Sequence, residues 1–263
     1  MMDSCICCGT PLGSNRAKEH VIPAWLQKAL DERKEDLTRC ISENASEEVV
    51  ERRQHVFDRF QQGNVCEKCN SGWMAELEGQ TAPVLEPLIN GERSPFNLTG
   101  DDSFLISRWA VKTALVLSSV TMDHSVRDLT GLRELRDVPD RLPDRWGVFV
   151  GVQPSRNRNF SYIDRHHWPS VPADKAKARD AEMRAGAVKI SLQLRHLLLL
   201  AGHIPDLPFR FLLHAGLHIP LTVWPGDQIL QAYRQQSLAI GAANDPLAIL
   251  RTFHDALGIF HLD

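Results

Sequence analysis

Cys66-Glu67-Lys68-Cys69-Asn70-Ser71-Gly72-Trp73-Met74-Ala75-Glu76-Leu77-Glu78 is the stretch that decides how this chain folds. A Cys-x-x-Cys pair at metal-ligand spacing is followed directly by an asparagine and then by apolar residues at helical spacing. The pattern predicts a metal knuckle that leads into a helix. Asn70 lies where the chain leaves the knuckle, so it is either the helix N-cap or a residue that points its amide oxygen into a shared site.

A second cysteine pair lies near the N-terminus, where Cys5 and Cys8 are followed by Gly9. Two such pairs supply the soft thiolate ligands of a tetrahedral zinc site. Cys7 could compete with either neighbour as a ligand, and the sequence leaves that open. The alternative is that the two pairs are buried free thiols. We expect a structural zinc ion on Cys5, Cys8, Cys66 and Cys69.

The segment Glu19-His20-Val21-Ile22-Pro23 reads as a short strand that the proline terminates. Successive side chains of an extended backbone point in different directions, so a carboxylate and an imidazole at adjacent positions can serve two tasks. One can hold a cation while the other faces a substrate. Taken alone, such a dipeptide is more often structural or exposed.

The rest of the chain predicts an α+β fold in two parts. Residues 31–54 are heavily charged and indicate solvated helix and loop, and residues 86–102 are the best linker candidate because they are rich in Pro, Gly and Asn. Beyond the linker the pattern predicts an apolar helix over 104–120 and strands over 146–152, 187–200, 209–213 and 219–224, followed by helices over 226–236 and 246–257. We therefore predict domains at residues 1–95 and 100–263.

Composition is that of a soluble globular protein, with 43% hydrophobic and 24% charged residues and a net charge of −3. The charge is uneven, because residues 141–195 carry 11 basic and 5 acidic residues, net +6. Aromatic residues are interleaved with these basic ones. Such a segment is suited to phosphate contact and base stacking, although a solvated face over a core strand has the same composition.

The N-terminus, Met-Met-Asp-Ser-Cys-Ile-Cys-Cys, lacks the basic and apolar regions of a signal peptide. The longest purely apolar run is far too short to cross a bilayer. We expect a cytoplasmic protein with no membrane partner, and hence reduced cysteines rather than disulfides.

In order, the chain presents Cys-x-x-Cys-Gly, then Glu-His-Val-Ile-Pro-x-Trp-Leu, then Cys-x-x-Cys-Asn-x-Gly-Trp-Met-x-x-Leu-Glu. This order resembles the HNH endonucleases, the zinc-containing branch of the ββα-metal nucleases. The resemblance covers roughly residues 5–90 and is specific because separate elements agree in order. It implies an N-terminal ββα-metal core that is clamped by zinc and carries a helical insertion, and a metal-dependent hydrolysis of phosphodiester bonds, most often in DNA.

The resemblance also implies roles for individual residues. His20 would be the general base, since histidine titrates near neutral pH. Glu19 and Asn70 would hold one catalytic Mg²⁺ or Mn²⁺ through oxygen atoms, although the family more often has Asp at the first position. The residue that orients His20 has three candidates: Asn64, favoured by residue type, Gln61, favoured by family spacing, and His55. We take Asn64 as the predicted catalytic partner of His20.

Three functions are compatible with these patterns. The first is an HNH endonuclease that acts on DNA. The second is a non-catalytic zinc scaffold that binds a partner or nucleic acid. The third is an effector nuclease of a bacterial defence system, gated by residues 100–263 or by a partner, and a protein partner or a homo-oligomer belongs to this picture.

Overall fold

The computed structural model has an α+β fold and describes most of the chain. The described residues are 4–31, 37–43, 49–56, 60–121, 129–152, 160–166, 188–203, 209–213, 219–220, 250, 253–254 and 257–261. Their strands are β1 (Arg16–His20), β2 (Leu37–Glu43), β3 (Val49–Val56), β4 (Gln61–Cys66), β5 (Trp146–Val152), β6 (Phe160–His166), β7 (Val188–Leu194), β8 (Leu197–His203), β9 (Phe209–Leu213), β10 (Ile219–Pro220) and β11 (Leu257–His261). Their α-helices are α1 (Ala24–Ala29), α2 (Glu67–Cys69), α3 (Ala75–Ile89), α4 (Gly100–Thr121) and α5 (Thr130–Asp137).

The N-terminal part is built on a two-stranded antiparallel sheet of β1 and β4. The turn that precedes β1 contains Gly9, whose φ of +74° is a conformation that favours glycine. The backbone N–H of Gly9 donates to the carbonyl of Cys5 at 2.8 Å and closes this turn. The turn carries the first cysteine pair, and the end of β4 carries Cys66 of the second.

The register of this sheet contains an irregularity between Ala17 and Glu19. Ala17 lies opposite Val65, whereas His20 lies opposite Gln61. A uniform register from Ala17 onward would place His20 opposite Gln62 instead. The bulge therefore decides which side chain of β4 faces the histidine.

After β4 the chain continues as one helical segment made of α2, a π-helical turn (Asn70–Met74) and α3. Gly72 has a non-helical backbone (φ −92°, ψ −114°) and marks the kink inside this segment. Pro83 and Pro87 lie within α3 and do not end it, since the helix continues to Ile89. The helix predicted after the cysteine knuckle is confirmed.

The larger part of the described fold is a seven-stranded sheet in the order β10-β5-β8-β7-β6-β2-β3. Strands β5, β7 and β8 are almost fully buried; β5 and β8 are apolar along most of their length, whereas β7 alternates apolar residues with the buried polar residues Lys189, Ser191 and Gln193. β7 and β8 are joined by a tight turn in which Arg195 has a φ of +52°. The predictions of an α+β fold and of strands at 146–152 and 209–213 are confirmed.

One prediction about the N-terminal part is wrong in its local structure. Residues 31–54 were expected to form helix and loop, but β2 and β3 form a hairpin, and β2 pairs in parallel with β6. The insertion between the two cysteine pairs thus contains the short helix α1 and then two strands of the large sheet. The prediction failed because β2 is stabilised by hydrogen bonds with β6, a distant strand that the local charged sequence does not indicate.

Helix α4 lies at the centre of the core and contacts α3, α5, β4, β5 and β8. Trp109 is fully buried, and its ring lies edge-on to that of Trp25 with centroids 5.8 Å apart. Within the described residues, α4 is the helix whose length and composition would suit a membrane span, and 72% of that stretch is buried inside the protein. The apolar helix predicted over 104–120 is confirmed as a core helix.

A single cluster of buried apolar residues runs from Cys5 to Ala201. The predicted linker is shorter than residues 86–102, because α3 extends to Ile89 and α4 begins at Gly100. The division into domains at 1–95 and 100–263 stays a prediction. The helix expected over 226–236 lies outside the described residues, as does most of the one expected over 246–257.

Candidate functional site

Four cysteine sulfur atoms converge where the N-terminal turn meets the end of β4. The sulfurs of Cys5, Cys8, Cys66 and Cys69 all lie within 4.8 Å of one another. Three of these cysteines are buried, and Cys8 is half-buried. Soft thiol donors in this number and at this spacing can bind a structural metal such as zinc. The predicted cysteine cluster is confirmed.

The local bonding of the cluster is that of four crowded thiols. The backbone N–H of Cys66 donates to the sulfur of Cys5 at 3.3 Å. Burial, together with the neighbouring sulfurs of Cys66 and Cys5, raises the pKa of Cys69 to about 12. Burial acts in the same direction on Cys8, but hydrogen bonds with Thr10 and with neighbouring thiols outweigh it and lower the pKa of Cys8 to about 6. Coordination of zinc would favour the thiolate at all four positions and release protons.

Cys7 lies outside this group of four. It is fully buried, its sulfur lies 4.0 Å from that of Met74, and burial raises the pKa of its thiol. Cys7 is therefore a core residue beside the cluster.

Helix α5 docks two arginines against the cysteine turn, a contact that sequence reasoning missed. The guanidinium of Arg136 donates from Nη1 to the backbone carbonyl of Cys7 at 3.0 Å. Its pKa is raised mainly by Asp137 and also by a hydrogen bond to Cys69. A methyl group added at Gly9 would meet Nη2 of Arg133 at 3.3 Å, so this arginine also lies against the turn. The arginines place positive charge beside a cluster that would carry negative charge when coordinated to zinc.

The acid–histidine pair lies at the end of β1, on the same small sheet. Glu19 is buried and His20 is half-buried. Nε2 of the Gln61 amide lies 2.8 Å from Nε2 of His20. In this orientation the amide donates to the ring, and rotation of the amide would make its oxygen the acceptor of a ring N–H. Of the three candidates for orienting His20, Gln61 is the one whose contact the structure shows.

Asn64 makes other contacts. Its side-chain oxygen accepts from Nη1 of Arg16 at 3.4 Å, and its backbone N–H donates to the side chain of Gln62 at 2.9 Å. None of the described contacts of Asn64 is with His20, because the register places Gln61 opposite the histidine; the role of Asn64 stays a prediction. His55 lies in β3, and its side chain is outside the described residues.

A lysine of α4, which sequence reasoning did not identify, pairs with two carboxylates, Glu19 and Glu78. We call these three residues the acidic cluster. The ammonium of Lys112 lies 3.1 Å from Oε1 of Glu19 and also donates to Oε1 of Glu78. Its side chain is 1% exposed. Burial alone would lower the pKa of Lys112, but the two carboxylates raise it, so the ammonium stays charged. Glu78 thus pairs with the same lysine as Glu19.

Asn70 begins the π-helical turn, which contacts β1. The Oδ1 atom of Asn70 is buried and has no hydrogen-bond partner among the described residues. Asn70 has helical backbone angles (φ −64°, ψ −55°) and is not an N-cap. A buried acceptor without a partner costs about 1–3 kcal/mol, which a bound cation or water would recover. A carboxylate and an amide oxygen are the kinds of donor that Mg²⁺ and Mn²⁺ prefer, so Glu19 and Asn70 have the donor chemistry of the predicted cation ligands.

The described part of the basic segment 141–195 includes core residues. Trp146, Phe149 and Tyr162 are buried in the sheet, and the ammonium of Lys189 is buried and donates to the carbonyl of His254 at 2.7 Å. These residues belong to the core. Arg156 and Arg158 lie outside the described residues.

Comparison of this chain with models of known protein families, with curated proteins and with solved structures finds no match. The resemblance to HNH endonucleases therefore depends on the motifs themselves and on the contacts described above.

Proposed function

We propose that this chain is a metal-dependent endonuclease of the HNH type that hydrolyses phosphodiester bonds in DNA. The observation that carries the proposal is the pairing of His20 with Gln61 on a sheet that also presents Glu19. The turn that contacts β1 contains Asn70, whose side-chain oxygen is buried and unpartnered. A zinc scaffold alone needs neither a half-buried histidine held by an amide nor an unsatisfied buried acceptor. Zinc on the four cysteines would hold this geometry without taking part in the reaction.

His20 is the general base in this proposal. When Oε1 of Gln61 accepts from the Nε2–H of His20, the other ring nitrogen, Nδ1, keeps its lone pair. That nitrogen takes a proton from water as the water oxygen attacks phosphorus and the bond to the leaving oxygen breaks.

Glu19 and Asn70 would hold the divalent cation through a carboxylate and an amide oxygen. A cation bound there supplies positive charge to the phosphate and to the leaving oxygen. Glu19 is already held by Lys112, so its carboxylate is fixed before substrate arrives.

A supercoiled plasmid assay with Mg²⁺ or Mn²⁺ tests this function. We expect cleavage by zinc-loaded wild type that stops with chelator, falls at least about 100-fold in His20→Ala and falls about 10–100-fold in Gln61→Ala. Gln80→Ala, on the exposed face of α3, is the matched control and should cleave like wild type. Equal cleavage by wild type and His20→Ala would contradict the assignment of the base.

A second function is favoured by one contact. Because Glu19 is neutralised by Lys112, the cluster can be read as a structural ion network in a zinc scaffold that binds a partner or nucleic acid without cleavage. Folded, zinc-loaded wild type that binds DNA in a gel-shift assay but never cleaves it with either cation would support this second reading.

A further inference from the structure

The acidic cluster has a buried charge that its packing does not require. Lys112 lies on α4 between Trp109 and Val116, which are both fully buried apolar residues. Replacing a buried ion network with apolar side chains of similar volume is often neutral or stabilising in proteins. An ammonium that is retained at such a position calls for a reason beyond stability.

The three charged groups of the cluster come from three different elements. Glu19 is on β1, Glu78 is on α3 and Lys112 is on α4. Burial raises the pKa of Glu78, and the charges of Lys112 and His20 act in the opposite direction. With both carboxylates and the ammonium ionised, the cluster carries a net charge of −1.

A net charge of −1 on the cluster suits a site that binds one divalent cation and one phosphodiester. Two carboxylates alone would give −2, which favours tight retention of a divalent cation. With the ammonium present, the cluster, one divalent cation and the single negative charge of a phosphodiester sum to zero. Lys112 also holds one oxygen of Glu19 in place, which limits the ways in which that carboxylate can bind a metal.

We propose that Lys112 is a positioning residue that fixes the carboxylate of Glu19 and, together with Glu78, sets the charge of the cation site. The proposal rests on the proposed function, because it concerns the same site. It states that the affinity for a divalent cation depends on the sum of the charges of Lys112 and Glu78. If the ion network were purely structural, the charges of Lys112 and Glu78 would affect the stability of the fold but not the affinity of the folded protein for the cation.

Titration of zinc-loaded protein with Mn²⁺, followed by electron paramagnetic resonance of the free ion, tests this without any cleavage measurement. Glu78→Gln removes one negative charge and should weaken Mn²⁺ binding at least about tenfold. Lys112→Met removes the positive charge and should tighten it by a similar factor, while cleavage falls. The double variant has the charge of wild type and should return to an affinity close to that of wild type.

Glu76→Gln, an exposed residue of α3, and Lys28→Met, an exposed residue of α1, are the matched controls and should leave the affinity unchanged. Should Lys112→Met fail to fold, Glu78→Gln and the double variant still decide the matter, since the double variant must bind Mn²⁺ more tightly than Glu78→Gln. Circular dichroism and zinc content establish that each variant is folded.

Two results would overturn the proposal: an affinity that Glu78→Gln leaves unchanged, or wild type that does not bind Mn²⁺. Cleavage by the same preparations is scored separately. Wild type that cleaves while the charge variants bind Mn²⁺ equally would retain the nuclease and reject the role of Lys112. The expected order of affinities in a protein that never cleaves would establish the charge setting and reject the nuclease.

Discussion

The cysteine cluster and the acidic cluster lie on the same small sheet, but they are assembled in different ways. The cysteine cluster brings together four chemically identical side chains at one end of the small sheet, where the turn before β1 meets the end of β4. The acidic cluster brings together opposite charges. Its positively charged residue, Lys112 of α4, follows Glu19 by 93 residues in the sequence. One cluster stabilises a local structure, whereas the other joins the small sheet to the core helix α4. Loss of a residue should therefore have different consequences in the two clusters.

The largest effect is expected from loss of a zinc ligand. Cys69→Ser should lose zinc and unfold the N-terminal sheet, because structural zinc contributes about 10–16 kcal/mol in small zinc domains. Zinc content and far-ultraviolet circular dichroism measure both changes. Cys7→Ala, the adjacent cysteine outside the group of four, should keep its zinc and lose only about 1–2 kcal/mol of unfolding free energy. Equal zinc loss in both variants would mean that the ligand set is different.

A smaller but global effect is expected at the acidic cluster. Lys112→Ala leaves two carboxylates close together without their cation, and removal of one partner of a buried ion pair costs about 3–5 kcal/mol. Urea unfolding should show this loss in a single transition, with the zinc still bound in the native state. A loss below about 1 kcal/mol would show that the cluster is hydrated rather than buried, and the contrast between the two clusters would disappear.

The smallest effect is expected at the contact between α5 and the turn that carries the first cysteine pair. Arg136→Gln removes positive charge from the cysteine turn and keeps the helix. We therefore expect zinc to be released to a chelator a few times faster. This is below the roughly 10–100-fold loss of metal affinity that is typical when residues around metal ligands are changed. Stopped-flow absorbance with a chromophoric chelator measures this rate. Arg141→Gln, an exposed arginine beyond α5, should release zinc at the wild-type rate.

Much of the cysteine centre could be predicted because its information is local. The spacing of each pair and the helical pattern after Cys69 are visible in a few residues. Strand β5 was predictable for the same reason, since its apolar run is continuous. The single strand predicted over 187–200 is two strands, β7 and β8, joined by a turn at Arg195 and His196.

The acidic cluster could not be completed from the sequence. A lysine within an apolar helix gives no sign of the two carboxylates that will surround it, because both partners are distant in sequence. The place of Gln61 opposite His20 depends on the bulge between Ala17 and Glu19, which no sequence pattern marks; a uniform register would put Gln62 there. Strand β2 was missed because its parallel partner, β6, follows more than 100 residues later.

The π-helical turn at Asn70–Met74 sets the phase between the cysteine knuckle and everything that follows on α3. The non-helical backbone of Gly72 lies inside this turn, so the direction of α3 relative to Cys69 depends on the number of residues that the turn contains. Deletion of one of them would move Glu78 relative to Cys69 and separate it from Lys112. The segment should therefore tolerate no change of length, and any homologous chain that has gained or lost a residue here would need a different partner for its buried lysine.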